Sequence, residues 1–346
     1  MKTVTEPPKE IPIAEEADVI VVGGGLAGVA AAVAAARNES HTLLIERSGL
    51  LGGVATSGLM ASISNYFFAP DGEMVVKGLP QEIVERLAKY GGTTSNWKSA
   101  SLPHITNDPE VLGLVLVELV EEAGVEVLLH TFVVDSVVED SQLKGLIVEN
   151  KAGRQGVLGK IVVDATGDAD VAAKSGAPLK YNPPGSNSLE FRMGNVNIQR
   201  LYEYFEKNRE RWVEFRDMPV PFDVFERNWL EKGIFHTPHV GGCVPGSPIA
   251  QKVEEAVKKG DYVKERGLTK LLDAFGLYGL SWNKTMIINT GFFLNIDELN
   301  VKEASKAEME ARKNAHYAAR FLKKYMPGFE DAFIVTTAPE LGVRYT

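Results

Sequence analysis

Gly23, Gly25 and Gly28 stand in the spacing G-x-G-x-x-G within Gly23-Gly24-Gly25-Leu26-Ala27-Gly28. Glycine at the first position permits a tight turn, and at the second it lets a phosphate approach the backbone. At the third it lets a helix pack closely on a strand. The chemistry this suits is capture of a diphosphate by the N–H groups of a helix start. Spacing alone is a weak signal in a chain holding 33 glycines among 346 residues. The flanking residues strengthen it. Ala17–Val22 is a short Val- and Ile-rich run that predicts a buried strand, Ala27–Arg37 is alanine-rich and predicts a helix, and His41–Glu46 predicts a second strand. This is a βαβ unit of about thirty residues. Glu46 ends its second strand, where a carboxylate accepts ribose hydroxyls and repels a 2′-phosphate, so NADP is the poorest dinucleotide for it.

Other groups carry weaker signals. His236, His239 and Cys243 form a tempting cluster, but three candidate ligands around Pro238 read better as a loop than as a metal site. Cys243 is the sole cysteine, which excludes an intramolecular disulfide and Cys-x-x-Cys redox chemistry. Asn187, Ser188, Glu190 and Arg192 fall in one predicted strand segment that could line a pocket. Arg192 there suits either a substrate carboxylate or, more readily, a surface ion pair. Tyr181, Trp212, Trp229 and Trp282 read as core or interface anchors. No residue is assigned a catalytic role, and no second G-x-G-x-x-G follows a strand.

The elements that must position these groups follow from composition and punctuation. A net charge of −9 argues against a nucleic-acid partner. Val19–Ala36 is uncharged, yet its acidic flank and three glycines argue against a membrane span or signal peptide, and the single cysteine suits a reducing cytoplasm. Asn107-Asp108-Pro109 opens a helix that ends before Gly124, apolar nearly all round and so expected to be buried. Phe132–Val138, Gln142–Glu149 and Val157–Val163 read as a three-stranded meander. Val301–Tyr325 reads as a long helix with alanines at 3–4 spacing and Glu308 four residues before Arg312. The fold class is α/β: a parallel sheet plus meander over residues 17–177, preceded by a flexible tail at 1–16, then a second α+β domain at 178–340 and a short end at 341–346.

Four segments resemble the FAD-dependent oxidoreductase family, the single-dinucleotide branch of the glutathione reductase-type fold. They are Ala17–Arg37, the pair Glu46-Arg47, Gly49–Gly58 and Val162–Pro178, in the family's order. The resemblance implies a Rossmann-like FAD-binding domain and noncovalent FAD. It places Gly23, Gly25, Leu26, Ala27 and Gly28 at the diphosphate, Glu46 at the ribose and Arg47 over the adenosine end. Gly52, Gly53, Val54 and Ala55 would pass beside the diphosphate and flavin. The backbone of Val133 would meet the adenine, and Thr166, Gly167 and Asp168 would return a second strand end to the cofactor. Asp168 is also expected to cap the helix that follows. The implied activity is transfer of a hydride from a small organic substrate, held between the two domains, onto the flavin. Relatives continue beyond the segment matching Gly342-Val343-Arg344, so residues 341–346 read as a truncated return toward the FAD domain. That reading leaves room for a second chain or a homo-oligomer completing the flavin site, for a non-catalytic or split-subunit flavin- or nucleotide-binding protein, and, on the turn alone, for an NAD-binding dehydrogenase.

Overall fold

The run at Ala17–Val22 does form a strand, but pairing carries it back to Ile13, so residues 13–16 are strand rather than tail. The structure is a computed structural model that describes all residues except 1, 65–66, 70–71, 99–103, 181–185, 213–219, 238–245, 264, 267–268, 271–275, 290–291, 295, 298 and 343–346. In chain order the first elements are β1 (Ile13–Val22), α1 (Leu26–Arg37), β2 (Thr42–Ile45), β3 (Ser62–Ser64), α2 (Leu79–Lys89), β4 (His104–Thr106) and α3 (Pro109–Ala123). They are followed by β5 (Glu126–Leu128), β6 (Phe132–Glu139), β7 (Gln142–Asn150), β8 (Gly153–Asp164) and α4 (Asp170–Lys174). Next come β9 (Ser186–Ser188), β10 (Phe191–Gly194), α5 (Ile198–Lys207), α6 (Phe222–Lys232), β11 (Ile234–Thr237) and α7 (Pro248–Lys258). The last are β12 (Glu265–Arg266), β13 (Thr269–Lys270), β14 (Gly276–Leu280), β15 (Thr285–Asn289), β16 (Phe292–Leu294), α8 (Val301–Tyr325) and β17 (Phe333–Thr337).

Backbone proximity divides the chain into two units, residues 1–53 with 116–180, and residues 54–115 with 181–346. The stretch 54–115, placed by the sequence within the FAD-binding segment, therefore groups with the second unit. Within that unit Thr106 reaches His236, and Asp108 reaches Arg192. Local patterning carries no trace of either.

The first unit is built on a six-stranded sheet in the order β5-β2-β1-β8-β7-β6. The strands β5, β2, β1 and β8 run parallel, and β8-β7-β6 is the antiparallel meander. Strand β8 is longer than the sequence suggests, because it serves both the meander and β1. Ile20, Leu43, Ile45, Leu146, Val148 and Val157 form the core around it.

In the second unit, the five-stranded sheet β11-β14-β15-β10-β17 is antiparallel throughout. Phe191, Met193, Phe235 and Ile288 from this sheet join Leu201 and Phe205 of α5, Phe225 of α6 and Ala311, Ala315 and Ala318 of α8 in one core. Small alanines let α8 lie close to its neighbours, as their spacing predicts. Trp212 and Trp229 belong to this aromatic core, whereas Trp282 is half exposed and donates its indole N–H to Gly91 O at 2.8 Å. Tyr181 lies outside the described residues.

One further expectation needs correction. Helix α3 is capped by Asp108, whose Oδ1 accepts the Glu110 N–H at 3.0 Å, but Leu114 and Val117 are exposed, so it is not buried all round. Near the end of the chain, the Gly342 N–H donates to Ser188 O at 2.8 Å and the Leu341 N–H to Glu308 Oε1 at 2.6 Å, both inside the second unit, while residues 343–346 lie outside the described residues. Among the described residues, no helix is long and apolar enough to cross a membrane.

Candidate functional site

Only Gly23, Gly24 and Gly25 separate the end of β1 from the start of α1. Gly23 has φ +99°, and a Cβ there would land on the Ala165 carbonyl oxygen. A Cβ on Gly28 would land on the Gly23 carbonyl oxygen. Both glycines are therefore demanded by the close meeting of β1, α1 and the end of β8. Gly25 differs. Its φ of −65° and ψ of 177° suit any residue, and nothing lies within 4 Å of where its Cβ would stand. The fold makes no demand for glycine at 25, and the open space beside it is the cradle a side chain would fill.

That cradle faces a helix start. The N–H groups of Leu26, Ala27 and Gly28 have no acceptor within α1, and its first turn carries no acidic residue to repel an anion. The second glycine loop is bonded onto the turn. The Gly52 N–H donates to Gly24 O at 2.7 Å, Gly25 and Gly52 form a parallel bridge, and Gly53 has φ +54°. Glu46 is buried and ties the two together, accepting the Gly24 N–H at 2.5 Å and the Ser48 N–H at 2.7 Å. Each carboxylate oxygen keeps lone-pair capacity for a hydroxyl donor. The His130 N–H donates to Ser48 O at 3.1 Å and the Thr131 N–H to Glu46 O at 3.0 Å, which brings the start of β6 to the same edge. Val133, two residues on, pairs with Val148 and buries its side chain in the core.

The end of β8 is organised by Asp164 rather than Asp168. Asp164 Oδ1 accepts the Thr166 hydroxyl at 2.7 Å and its N–H at 3.1 Å, Asp164 Oδ2 accepts the Ala172 N–H at 2.9 Å, and Thr166 Oγ1 accepts the Asp170 N–H at 3.1 Å. The expected cap by Asp168 is thus replaced by Thr166 and Asp164, because Ala169 adopts a left-handed conformation between Asp168 and the helix. Gly167 has φ +89°. Burial and the neighbouring Asp168 and Asp164 push the Asp170 carboxyl above its ordinary range, against the pull of Lys174 and Arg47. The first unit thus gathers Gly23–Gly28, Glu46, Arg47, Gly52, Gly53, Val133 and Thr166–Asp168. Val54 and Ala55 fall in the second unit, where the Met60 N–H donates to Val54 O at 3.1 Å.

The second unit holds a buried polar cluster whose assembly no sequence signal marks. Across the five-stranded sheet, Arg192, Ile287, Tyr278 and His236 pair in register as one row. Segment 104–108 lies against it. The imidazoles of His104 and His236 stack with centroids 4.5 Å apart and planes 5° apart, and Thr106 Oγ1 meets His236 Nδ1 at 3.1 Å. Arg192 forms an ion pair with Asp108 at 3.0 Å and is almost entirely buried, not the surface pair expected of it. Asn187, Ser188 and Glu190 are buried as well, so this segment lines core rather than solvent. His239 and Cys243 lie outside the described residues.

Burial holds the His104 imidazole below its ordinary pKa of 6.5. A depressed histidine stabilises the fold in its neutral form. Its contribution is intact above pH 6.5 and declines as the pH falls below it, because the unfolded chain then binds a proton that the native site resists. We expect the urea midpoint to fall between pH 7 and pH 5.5, and His104→Phe, which preserves the stack without titrating, to reduce that fall. An identical pH dependence in His104→Phe would assign it to other groups.

A βαβ unit with this turn, this acid and an antiparallel meander defines a dinucleotide-binding protein of the Rossmann-like class. The sequence profile described as FAD dependent oxidoreductase matches residues 18–346, and the chain belongs to that family. FAD is therefore its cofactor, and the glycine cradle fits a diphosphate. The chain is 26% identical over 204 residues to the thiamine thiazole synthase of Methanococcus vannielii, covering 54% of this chain and 70% of that protein. It is 28% identical over 193 residues to digeranylgeranylglycerophospholipid reductase 2 of Methanothermobacter thermautotrophicus, covering 52% and 48%. The chain thus spans about half the length of one relative and somewhat more than two thirds of the other. A geranylgeranyl bacteriochlorophyll reductase-like structure from Thermoplasma acidophilum superposes with a TM-score of 0.50 at 15% identity, covering 95% of this chain and 66% of that one, a likeness of fold alone.

Proposed function

We propose that this FAD-dependent oxidoreductase binds the diphosphate of its cofactor at the Gly23–Gly28 turn and oxidises or reduces a small organic substrate. The observation that carries the site is the contrast among the three motif glycines: two are required sterically by the fold, whereas the fold leaves the space beside Gly25 open. Leu26, Ala27 and Gly28 would donate backbone N–H groups to phosphate oxygens, and Glu46 would accept the ribose hydroxyls while remaining tied to Gly24 and Ser48. Arg47 would sit toward the adenosine end, the backbone of Val133 toward the adenine, and Thr166–Asp168 at the second strand end. Gly52 and Gly53 would follow the diphosphate, with Val54 and Ala55 continuing toward the flavin. Bound FAD supplies the two-electron chemistry, and the protein's part is to orient it. A small-molecule substrate in a reducing cytoplasm is the setting we favour, with another copy or second chain as the form any oligomer would take.

The test is a visible spectrum of the purified protein, followed by anaerobic reduction. We expect an oxidised-flavin spectrum that bleaches. A colourless protein that also fails to take up added FAD would overturn the proposal.

A further inference from the structure

At one end of the second unit's five-stranded sheet, three turns converge: Asn195–Asn197 between β10 and α5, Ser281–Lys284 between β14 and β15, and Gly328–Asp331 between α8 and β17. They line an open cavity of about 560 Å³, within the roughly 300–1,000 Å³ of small-molecule sites. Its walls are pinned to one another. The Val196 N–H donates to Lys284 O at 3.1 Å, the Asn197 N–H to Gly328 O at 2.8 Å, and Asn195 Nδ2 to Asp331 O at 3.2 Å. Two non-glycine residues of these turns hold left-handed backbone, Asn195 at φ +57° and Lys284 at φ +50°. Asparagine tolerates that conformation, but lysine is strained in it, and such strain persists only where the surroundings impose it.

The lining has a definite charge pattern. Arg200 and Glu330 pair with each other at 3.2 Å and neutralise one another. Lys284 and Asp331 also line the cavity, on different turns, and neither forms an ion pair with a described residue. A ligand of one sign would satisfy one of these and face the other as a like charge. A molecule carrying both signs would satisfy both.

We propose that this cavity binds a small zwitterion, its carboxylate directed to Lys284 and its ammonium to Asp331. The cavity volume accommodates a dipeptide-sized molecule. This goes beyond the redox reading and does not depend on it, since every residue used belongs to one unit and none belongs to the dinucleotide turn.

The probe is L-alanyl-L-alanine, with its N-acetyl and C-amide derivatives, measured by saturation-transfer NMR and calorimetry on the full FAD-loaded chain. We expect saturable binding of the free dipeptide and a loss of about fivefold for each capped form, the scale of one exposed ion pair. Lys284→Ala should weaken the free dipeptide and leave the amide unchanged, and Asp331→Ala should do the same for the N-acetyl form. Both residues are exposed, so the variants should fold, and an unaltered circular dichroism spectrum and thermal melt would report that they do. Absence of saturable binding, equal binding of the capped peptides, or wild-type binding by both variants would overturn the proposal.

Discussion

Gly25→Val should yield a folded protein that no longer takes up FAD, whereas Gly28→Val should fail to fold. The two changes add the same side chain three residues apart, and the structure separates them. At Gly25 the backbone is extended and the Cβ would enter open space, so the fold gives up little beyond a favoured N-cap residue. At Gly28 the Cβ would strike the Gly23 carbonyl oxygen, a backbone atom that cannot move without opening the strand-to-helix turn. A branched side chain at 25 would occupy the volume that a diphosphate needs and shield the N–H groups at the start of α1. We expect FAD affinity to fall by about 100-fold or more, close to 3 kcal/mol. Circular dichroism and a thermal melt of the apoprotein would report folding, and calorimetry with added FAD would report affinity. A folded Gly25→Val with wild-type FAD affinity would remove the diphosphate from this turn.

Arg192→Met should destabilise the second unit by about 3 kcal/mol, the lower end of what breaking a buried ion pair costs. The lower end is chosen because Asp108 retains 18% side-chain exposure and can recover some hydration. The loss should be reversed in large part by adding Asp108→Asn. That second change removes the stranded charge, yet asparagine still offers an Oδ1 to the Glu110 N–H and serves well as a helix cap. Most of the penalty therefore comes from leaving a carboxylate unpaired, not from the worth of the bond itself. Urea denaturation of the two single variants and the double variant closes the cycle. If the double variant were as unstable as the sum of the singles, the pair would not be coupled and the cluster's role in holding segment 104–108 to the sheet would fall.

The strand–turn–helix around Gly23–Gly28 was legible in the sequence because its requirements are local. A tight turn and a close helix–strand contact each call for glycine at a fixed offset, and Glu46 follows within the same βαβ unit. The long helix α8 was legible for a similar reason, since helical period and alanine content are properties of one continuous segment. The cap at the end of β8 was misassigned to Asp168 because composition cannot show the left-handed turn at Ala169. The tie between Glu46 and Gly24, across 22 residues, also needed three dimensions to appear.

By itself, then, the sequence determined the glycine turn, the parallel strands beside it, the meander and the family. What only the tertiary structure decided lies in the second unit. Thr106 and His236 are 130 residues apart, and Asp108 and Arg192 are 84 apart. Nothing in the neighbourhood of any of them predicts a partner, because the pairing is set by strand order and register, which arise only when the sheet closes. The same holds for the cavity between three turns, whose residues meet because β10, β14 and α8 end at one edge. Local chemistry is written in local spacing, and chemistry assembled from distant segments is settled by the packing that brings them together.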